Sequence, residues 1–277
     1  MGDWLRLSLV LVCLAPLVAG CGSLTPTPAA TIATPSTLAP TAADCATITY
    51  PSHGEPVRAY QCLPGVIGPW PAVIVLHGAN GPGVDSPPFH TIAEGLAAEG
   101  FAALYVDYFC RTPPPSKEGF KPFSAEINRA WPVFLEVAGD AITYLGTVPG
   151  VDGKRVGLLG YSLGGYVSLA LGAQDDRPRA IVEYYGGLPT PFSRRAGQLP
   201  PVLVLHGDAD STVPVAEAYA LERYASAAGG QKTVEMQIYK GAEHSFNFQG
   251  RHYDPEAAKD AEARTLAFLR RWLLDTQ

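Results

Sequence analysis

A mostly parallel β-sheet with helices on both faces is the architecture that this 277-residue sequence predicts. Three observations predict it. Short, strongly apolar runs recur at residues 72–76 (AVIVL), 101–106 (FAALYV), 155–159 (RVGLL), 180–185 (AIVEYY) and 201–205 (PVLVL), as in strands buried on both faces. Stretches with helical spacing alternate with these runs, a pattern that calls for parallel strands joined by crossover helices. Polar and glycine-rich residues follow the strands directly, at the edge where an open parallel sheet builds its site.

The elements follow in order. Residues 46–50 and 57–62 read as two strands around the turn PSHGEP, an antiparallel pair at one edge of the sheet. After the run at 72–76 comes a helix over 89–98, ended by Gly100. The strand 101–106 leads into a Pro-rich, irregular segment, 108–122, long enough to wall a site. A helix over 125–146, the strand 155–159 and a small-residue helix over 163–173 come next. Strands 180–185 and 201–205, a helix over 215–228, a strand over 233–239 and a helix over 255–274 complete the domain.

Composition narrows the function. Hydrophobic residues at 47% against 17% charged predict one packed domain rather than a disordered chain. A net charge of −6, with no cluster of Lys and Arg, excludes nucleic acid as a partner, because phosphate contacts need a basic face.

Residues 1–23 read as a targeting segment. Leu7 to Val18 is an apolar run with the length of a signal h-region. It ends in V-A-G-C, Val18 to Cys21, which resembles the bacterial lipobox. That resemblance implies cleavage before Cys21, lipidation of its thiol, and an extracytoplasmic domain tethered to a bacterial membrane by the lipid alone. Residues 24–43 are Thr, Pro and Ala without charge and read as a semi-extended linker, so the folded domain is expected over 44–277. Outside the cytosol a disulfide is permitted, and Cys45 and Cys62 flank the two N-terminal strands; pairing and free thiols both remain open there.

The chemistry is expected after the strands. G-Y-S-L-G-G, Gly160 to Gly165, lies between a buried strand and a helix. A strand–turn–helix of this kind lifts the central Ser162 hydroxyl out of the sheet beside a helix N-terminus. With 29 glycines in the chain the pentapeptide G-x-S-x-G recurs by chance; its place between strand and helix gives it weight. A serine hydroxyl needs a base. Of six histidines, His244 in G-A-E-H-S-F follows the last strand. The acid that orients the base is expected after the preceding strand, in L-H-G-D-A-D-S-T-V-P. Asp210 is the choice there, and Asp208 reads as a turn residue bonded to its own backbone. Two backbone amides are needed for an oxyanion: Leu163, next after the serine, and Ala79 in the loop H-G-A-N-G-P-G. Tyr161, Phe246 and Phe248 are candidates for an apolar substrate pocket.

Together these residues, with D-Y-F-C-R after the second buried strand, resemble the dienelactone hydrolase family over roughly residues 45–274. The resemblance implies the α/β-hydrolase fold, no metal or organic cofactor, and hydrolysis of a small-molecule ester or lactone through an acyl-enzyme. The family's namesake enzymes carry Cys where this chain has Ser162. They also grip a substrate carboxylate with two arginines. Arg111 matches one and is the expected substrate contact; Phe248 stands near the place of the other. Two other readings stay open. A peptidase of the prolyl-oligopeptidase kind shares the elbow and the order Ser, Asp, His. A non-catalytic substrate-binding lipoprotein would keep the fold while losing one of the three.

Overall fold

A computed structural model describes residues 42–81, 83–112, 125–227 and 234–275. The expected signal segment, Cys21, nearly all of the expected linker and most of the Pro-rich segment lie outside these described residues.

Eight strands form one sheet: β1 (Asp44–Ser52), β2 (Glu55–Leu63), β3 (Trp70–Leu76), β4 (Ala102–Val106), β5 (Val151–Tyr161), β6 (Pro178–Tyr184), β7 (Val202–Gly207) and β8 (Val234–Tyr239). Their order across the sheet is β1-β2-β4-β3-β5-β6-β7-β8. β1 and β2 are antiparallel to each other and β2 is antiparallel to β4, whereas all remaining pairs are parallel. Five helices cover the sheet: α1 (Pro87–Ala98), α2 (Ala125–Leu145), α3 (Leu163–Gly172), α4 (Ala216–Ala227) and α5 (Pro255–Leu269).

The period-two alternation of the strands divides the core. Ala72, Ile74 and Leu76 of β3, with Leu104 of β4 and Leu158 of β5, face α2, α3 and α4. Val73, Val75, Tyr105, Leu159 and Tyr161 face α1 and α5. Both faces are covered, which is why the central strands read as unbroken apolar runs rather than as alternation.

Local signals set the helix ends. α1 begins with Pro87 behind Ser86, and stops at Gly100, whose φ of +89° lets the amide of Phe101 turn back to the Leu96 carbonyl. α5 is capped by Asp254, whose side chain accepts from the amides of Glu256 and Ala257, with Pro255 in the first turn. All ten residues of α3 are buried, as its small side chains predict.

The structure also departs from the sequence reading. β5 starts at Val151 rather than residue 155, because Trp70 at the start of β3 pairs with it there. Residues Thr190–Gln198 form a 3₁₀ helix where none is expected. The C-terminal helix divides: α5 stops at Leu269, and Arg270–Leu274 widen into a π turn, closed by the amide of Asp275 on the Arg270 carbonyl. Cys45 and Cys62 stand directly opposite each other on β1 and β2 and are joined by a disulfide.

Candidate active site

Ser162, Asp210 and His244 come from the carboxyl ends of β5, β7 and β8, which lie within four adjacent strands of the sheet. The sharp turn after β5 puts Ser162 at φ +53°, ψ −115°, a conformation few non-glycine residues adopt. Its neighbours must be glycine. A Cβ on Gly160 would meet the Gly164 carbonyl oxygen at 2.2 Å, and one on Gly164 would meet that of Leu76 at 2.1 Å. Backbone bonds hold the turn: the Ser162 amide donates to Tyr184 on β6, and the Ser162 carbonyl accepts from Gly165 and Tyr166. Ser162 occupies the N-cap position of α3, yet its hydroxyl caps no helix amide. It is 3.0 Å from Nε2 of His244 instead.

The other ring nitrogen of His244, Nδ1, is 2.7 Å from Oδ2 of Asp210. A carboxylate there requires Nδ1 to carry a proton, which leaves Nε2 free to accept the Ser162 hydroxyl proton. Asp210 is 7% exposed and Ser162 6%, so the pair is screened little by water. Oδ1 of Asp210 accepts from the amides of Thr212, at 2.9 Å, and Val213, at 2.8 Å. Burial works to raise the Asp210 pKa, but hydrogen bonds from His206, His244 and the Val213 amide hold it well below the usual carboxylate range. The acid therefore stays charged at any working pH.

Asp208 has a different task from the one expected. Its Oδ1 accepts from the Gly241 amide at 2.6 Å, so it ties the β7 end to the loop that carries His244 rather than bonding within its own turn. On the same loop, Glu243 accepts from the amide and hydroxyl of Ser211.

Leu163 is the first residue of α3, where a helix leaves its amides without intrahelical partners. Ala79 lies in the loop after β3, packed partly against the core. The loop runs close beside the serine: a Cβ on Gly78 would sit 3.5 Å from that of Ser162. The His77 that opens this loop is buried, and burial lowers its pKa to about 4. It stacks on Tyr108, and its Nδ1 donates to the Gly78 carbonyl. Among the described residues, no three His, Cys, Asp or Glu side chains converge as metal ligands would.

The four expected substrate contacts, Arg111, Tyr161, Phe246 and Phe248, are engaged away from the Ser162 hydroxyl. The Arg111 guanidinium donates to Glu136 of α2 at 2.6 Å and to the Ser52 hydroxyl at 3.1 Å; Glu136 also pairs with His53 in the β1–β2 turn. Arg111 thus fastens the loop after β4 to α2 and the hairpin. Phe246 is fully buried among Tyr184, Tyr185 and Tyr239 and belongs to the core. Tyr161 packs against Phe248 on the α1–α5 side of the sheet, where both line a cavity that Ser162, Asp210 and His244 do not border.

Tyr185, beside the base, escapes the sequence reading. Tyr185 has φ +43°, its ring lies 4.6 Å from the His244 imidazole, and its hydroxyl donates to Asn247 Oδ1 at 2.7 Å. The available signal is positional, since Tyr185 directly follows β6, the strand lying between those of the serine and the acid. Behind Asp210 lie two more buried titratable side chains, Glu183 and His206. Nε2 of His206 donates to the Val213 carbonyl at 2.9 Å and lies 3.5 Å from Asp210 Oδ2. Glu183 Oε2 accepts from the Gly186 amide at 2.6 Å.

A mostly parallel sheet with a serine on a strained strand-to-helix turn, and a histidine and aspartate after later strands, defines the α/β-hydrolase class. A crystal structure of a Klebsiella pneumoniae protein, provisionally identified as a dienelactone hydrolase, superimposes with a TM-score of 0.73 at 26% identity, covering 84% of this chain and all of that one. The model of the dienelactone hydrolase family matches residues 57–273, and the chain belongs to that family. It is accordingly a hydrolase of the ester or lactone type. A Bradyrhizobium protein provisionally named 2-oxo-3-(5-oxofuran-2-ylidene)propanoate lactonase is 31% identical over 79% of this chain and 91% of its own length. A Synechocystis protein provisionally named a carboxymethylenebutenolidase is 28% identical over 77% of this chain and 91% of its own.

Proposed function

We propose that the chain is a serine hydrolase that cleaves a carboxylic ester or lactone through an acyl-enzyme, with Ser162 as nucleophile, His244 as general base and Asp210 as the residue orienting the base. The observation that carries this reading is the continuous contact from Asp210 through His244 to Ser162, at 2.7 Å and 3.0 Å. Ser162 Oγ attacks the carbonyl carbon as its proton passes to His244 Nε2. The amides of Leu163 and Ala79 receive the negative oxygen. The tetrahedral adduct collapses, and the leaving alkoxide takes the proton back from His244; in a lactone that alcohol stays attached to the acyl group. Water then gives a proton to His244 and attacks the acyl-enzyme, and as the second adduct collapses the acid leaves and His244 returns that proton to Ser162 Oγ.

The named relatives point to cyclic esters as one substrate class. Arg111 is engaged by Glu136, and Phe248 stands near the second arginine's place, which favours an ester without a carboxylate to be gripped. The domain is further proposed to work outside the cytoplasm, tethered through lipidated Cys21. The lipobox-like V-A-G-C supports this, as does the Cys45–Cys62 disulfide, a bond that persists in oxidising compartments.

The test is hydrolysis of p-nitrophenyl acetate and butyrate, with fluorophosphonate labelling, in the wild type and Ser162→Ala. Turnover and labelling are expected in the wild type and neither in the variant, with an unchanged melting temperature. A variant that keeps most of its turnover refutes the nucleophile. A folded wild type that neither turns over nor labels brings the substrate-binding reading forward.

A further inference from the structure

On the sheet face opposite α3, between α1 and α5, lies a cavity of about 720 Å³. That is the size of a small-molecule site, and Ser162, Asp210 and His244 do not border it. Its floor is aromatic, formed by Tyr161 and Tyr184, and Phe248 closes the end nearer the base loop. Ile92 and Leu96 of α1 face Leu266 of α5 across it. An apolar molecule with flat rings would remove this surface from water.

Two details indicate what such a molecule carries. Tyr161 is only 4% exposed, yet its hydroxyl has no hydrogen-bond partner among the described residues, whereas the Tyr184 hydroxyl beside it is paired with Thr265 at 2.8 Å. Burial, and then the nearby Tyr184, Tyr185 and Glu262, push the Tyr161 phenol pKa well above its ordinary value. The group is therefore a permanent donor that asks for an acceptor. At the rim, Lys259 stands near Glu262 while Glu99 is paired with Arg270, so the charges offset one another and an uncharged molecule is not opposed.

Gly95 offers a place from which to perturb the cavity. It sits inside α1, where glycine weakens a helix, and no atom lies within 4 Å of the place a Cβ would occupy. Gly95 is exposed and on the cavity's lining, so a side chain placed there would occupy open space at the cavity mouth.

We propose that the α1–α5 cavity is a second binding site, separate from the catalytic one, for an uncharged aromatic molecule whose carbonyl oxygen accepts the Tyr161 hydroxyl proton in a hydrogen bond. The proposal does not depend on the catalytic assignment. The probe is Nile red, an uncharged fused-ring dye with a ring carbonyl, titrated by fluorescence into the full chain carrying Cys21→Ser so that no acyl chain is attached. Saturable one-to-one binding with blue-shifted emission is expected. In that background Gly95→Phe fills the cavity and weakens binding at least tenfold, with ester hydrolysis unchanged within twofold. Tyr161→Phe keeps the ring and loses only the donor, and is expected to weaken binding about fivefold, a check that remains if the larger substitution disturbs α1. Protein inactivated at Ser162 by fluorophosphonate is expected to bind the dye as before. Absence of saturable binding, equal binding by both substituted proteins, or loss of binding on fluorophosphonate labelling overturns the proposal, the last by placing the dye at Ser162.

Discussion

Asp210→Asn tests the geometry of the site most sharply, because the structure dictates which way the new amide must face. Oδ1 of Asp210 receives two backbone N–H groups, from Thr212 and Val213. An asparagine has one acceptor oxygen, and those two donors claim it, since an amide NH₂ facing them would leave both unsatisfied. The NH₂ is then forced into the place of Oδ2, 2.7 Å from His244 Nδ1 and 3.5 Å from the N–H of His206. It donates to Nδ1 and so fixes the imidazole proton on Nε2, facing Ser162. A base with its proton already on that nitrogen cannot take another from the hydroxyl. Loss of the correct tautomer costs about 10⁴-fold when the same substitution is made in a serine protease triad. A fall of about 10³ to 10⁴ in kcat/KM is expected here, about 4 to 5.5 kcal/mol of transition-state stabilisation. The assay is p-nitrophenyl acetate hydrolysis, run beside Asp208→Asn. Among the described residues the Asp208 side chain accepts from the Gly241 amide alone, which an asparagine oxygen retains, so that variant should stay within about threefold of wild type. A kcat/KM for Asp210→Asn above a tenth of wild type, or a larger loss for Asp208→Asn, refutes the reasoning.

Other perturbations separate structural from chemical roles. Burial raises the Glu183 pKa from 4.5 to about 7, so the folded protein holds a proton that the unfolded chain releases above about pH 4.5. Glu183 therefore contributes fully below that pH, and stability falls as pH rises towards 7, by on the order of 3 kcal/mol. Glu183→Gln should flatten this slope in urea denaturation at pH 5 and pH 8; an unchanged slope counts against a buried neutral carboxyl. Replacing Cys45 and Cys62 with serine removes a crosslink between residues 17 apart, and should lower the unfolding free energy by about 3 kcal/mol on the chain-entropy argument. A difference below about 1 kcal/mol in denaturant would show that β1 and β2 are held by their ladder alone. In Gly164→Ala the new methyl would be driven into the Leu76 carbonyl oxygen, so little folded, fluorophosphonate-reactive protein is expected on gel filtration and labelling; a well-folded active variant would mean the turn can move away from β3.

Much of the site was legible because each catalytic candidate follows a strand. Ser162 adjoins β5, Asp210 comes shortly after β7 and His244 shortly after β8, and parallel strands deliver such residues to one edge of the sheet. Glycine spacing marked the strained turn for the same local reason. Arg111, Phe246 and Phe248 were less legible. All three are polar-edge or aromatic residues near strand ends, yet one is neutralised by Glu136, one is sealed in the core and one lines a different cavity. Composition near a strand end does not say what a side chain meets there.

The sequence by itself determined the alternation of strands and helices, the double burial of the central strands, and the three positions after strands that are proposed as the catalytic set. These depend on local periodicity and on backbone demands within a few residues. Tertiary structure alone decided the strand order, the pairing of Cys45 with Cys62, the separate tasks of Asp208 and Asp210, and the contact of Tyr185 with His244. The physical reason is that periodicity fixes which face a side chain takes but not which side chain it meets. The two contacts that define the site join residues 34 and 82 positions apart, and only the packing of the whole sheet brings them within a hydrogen bond.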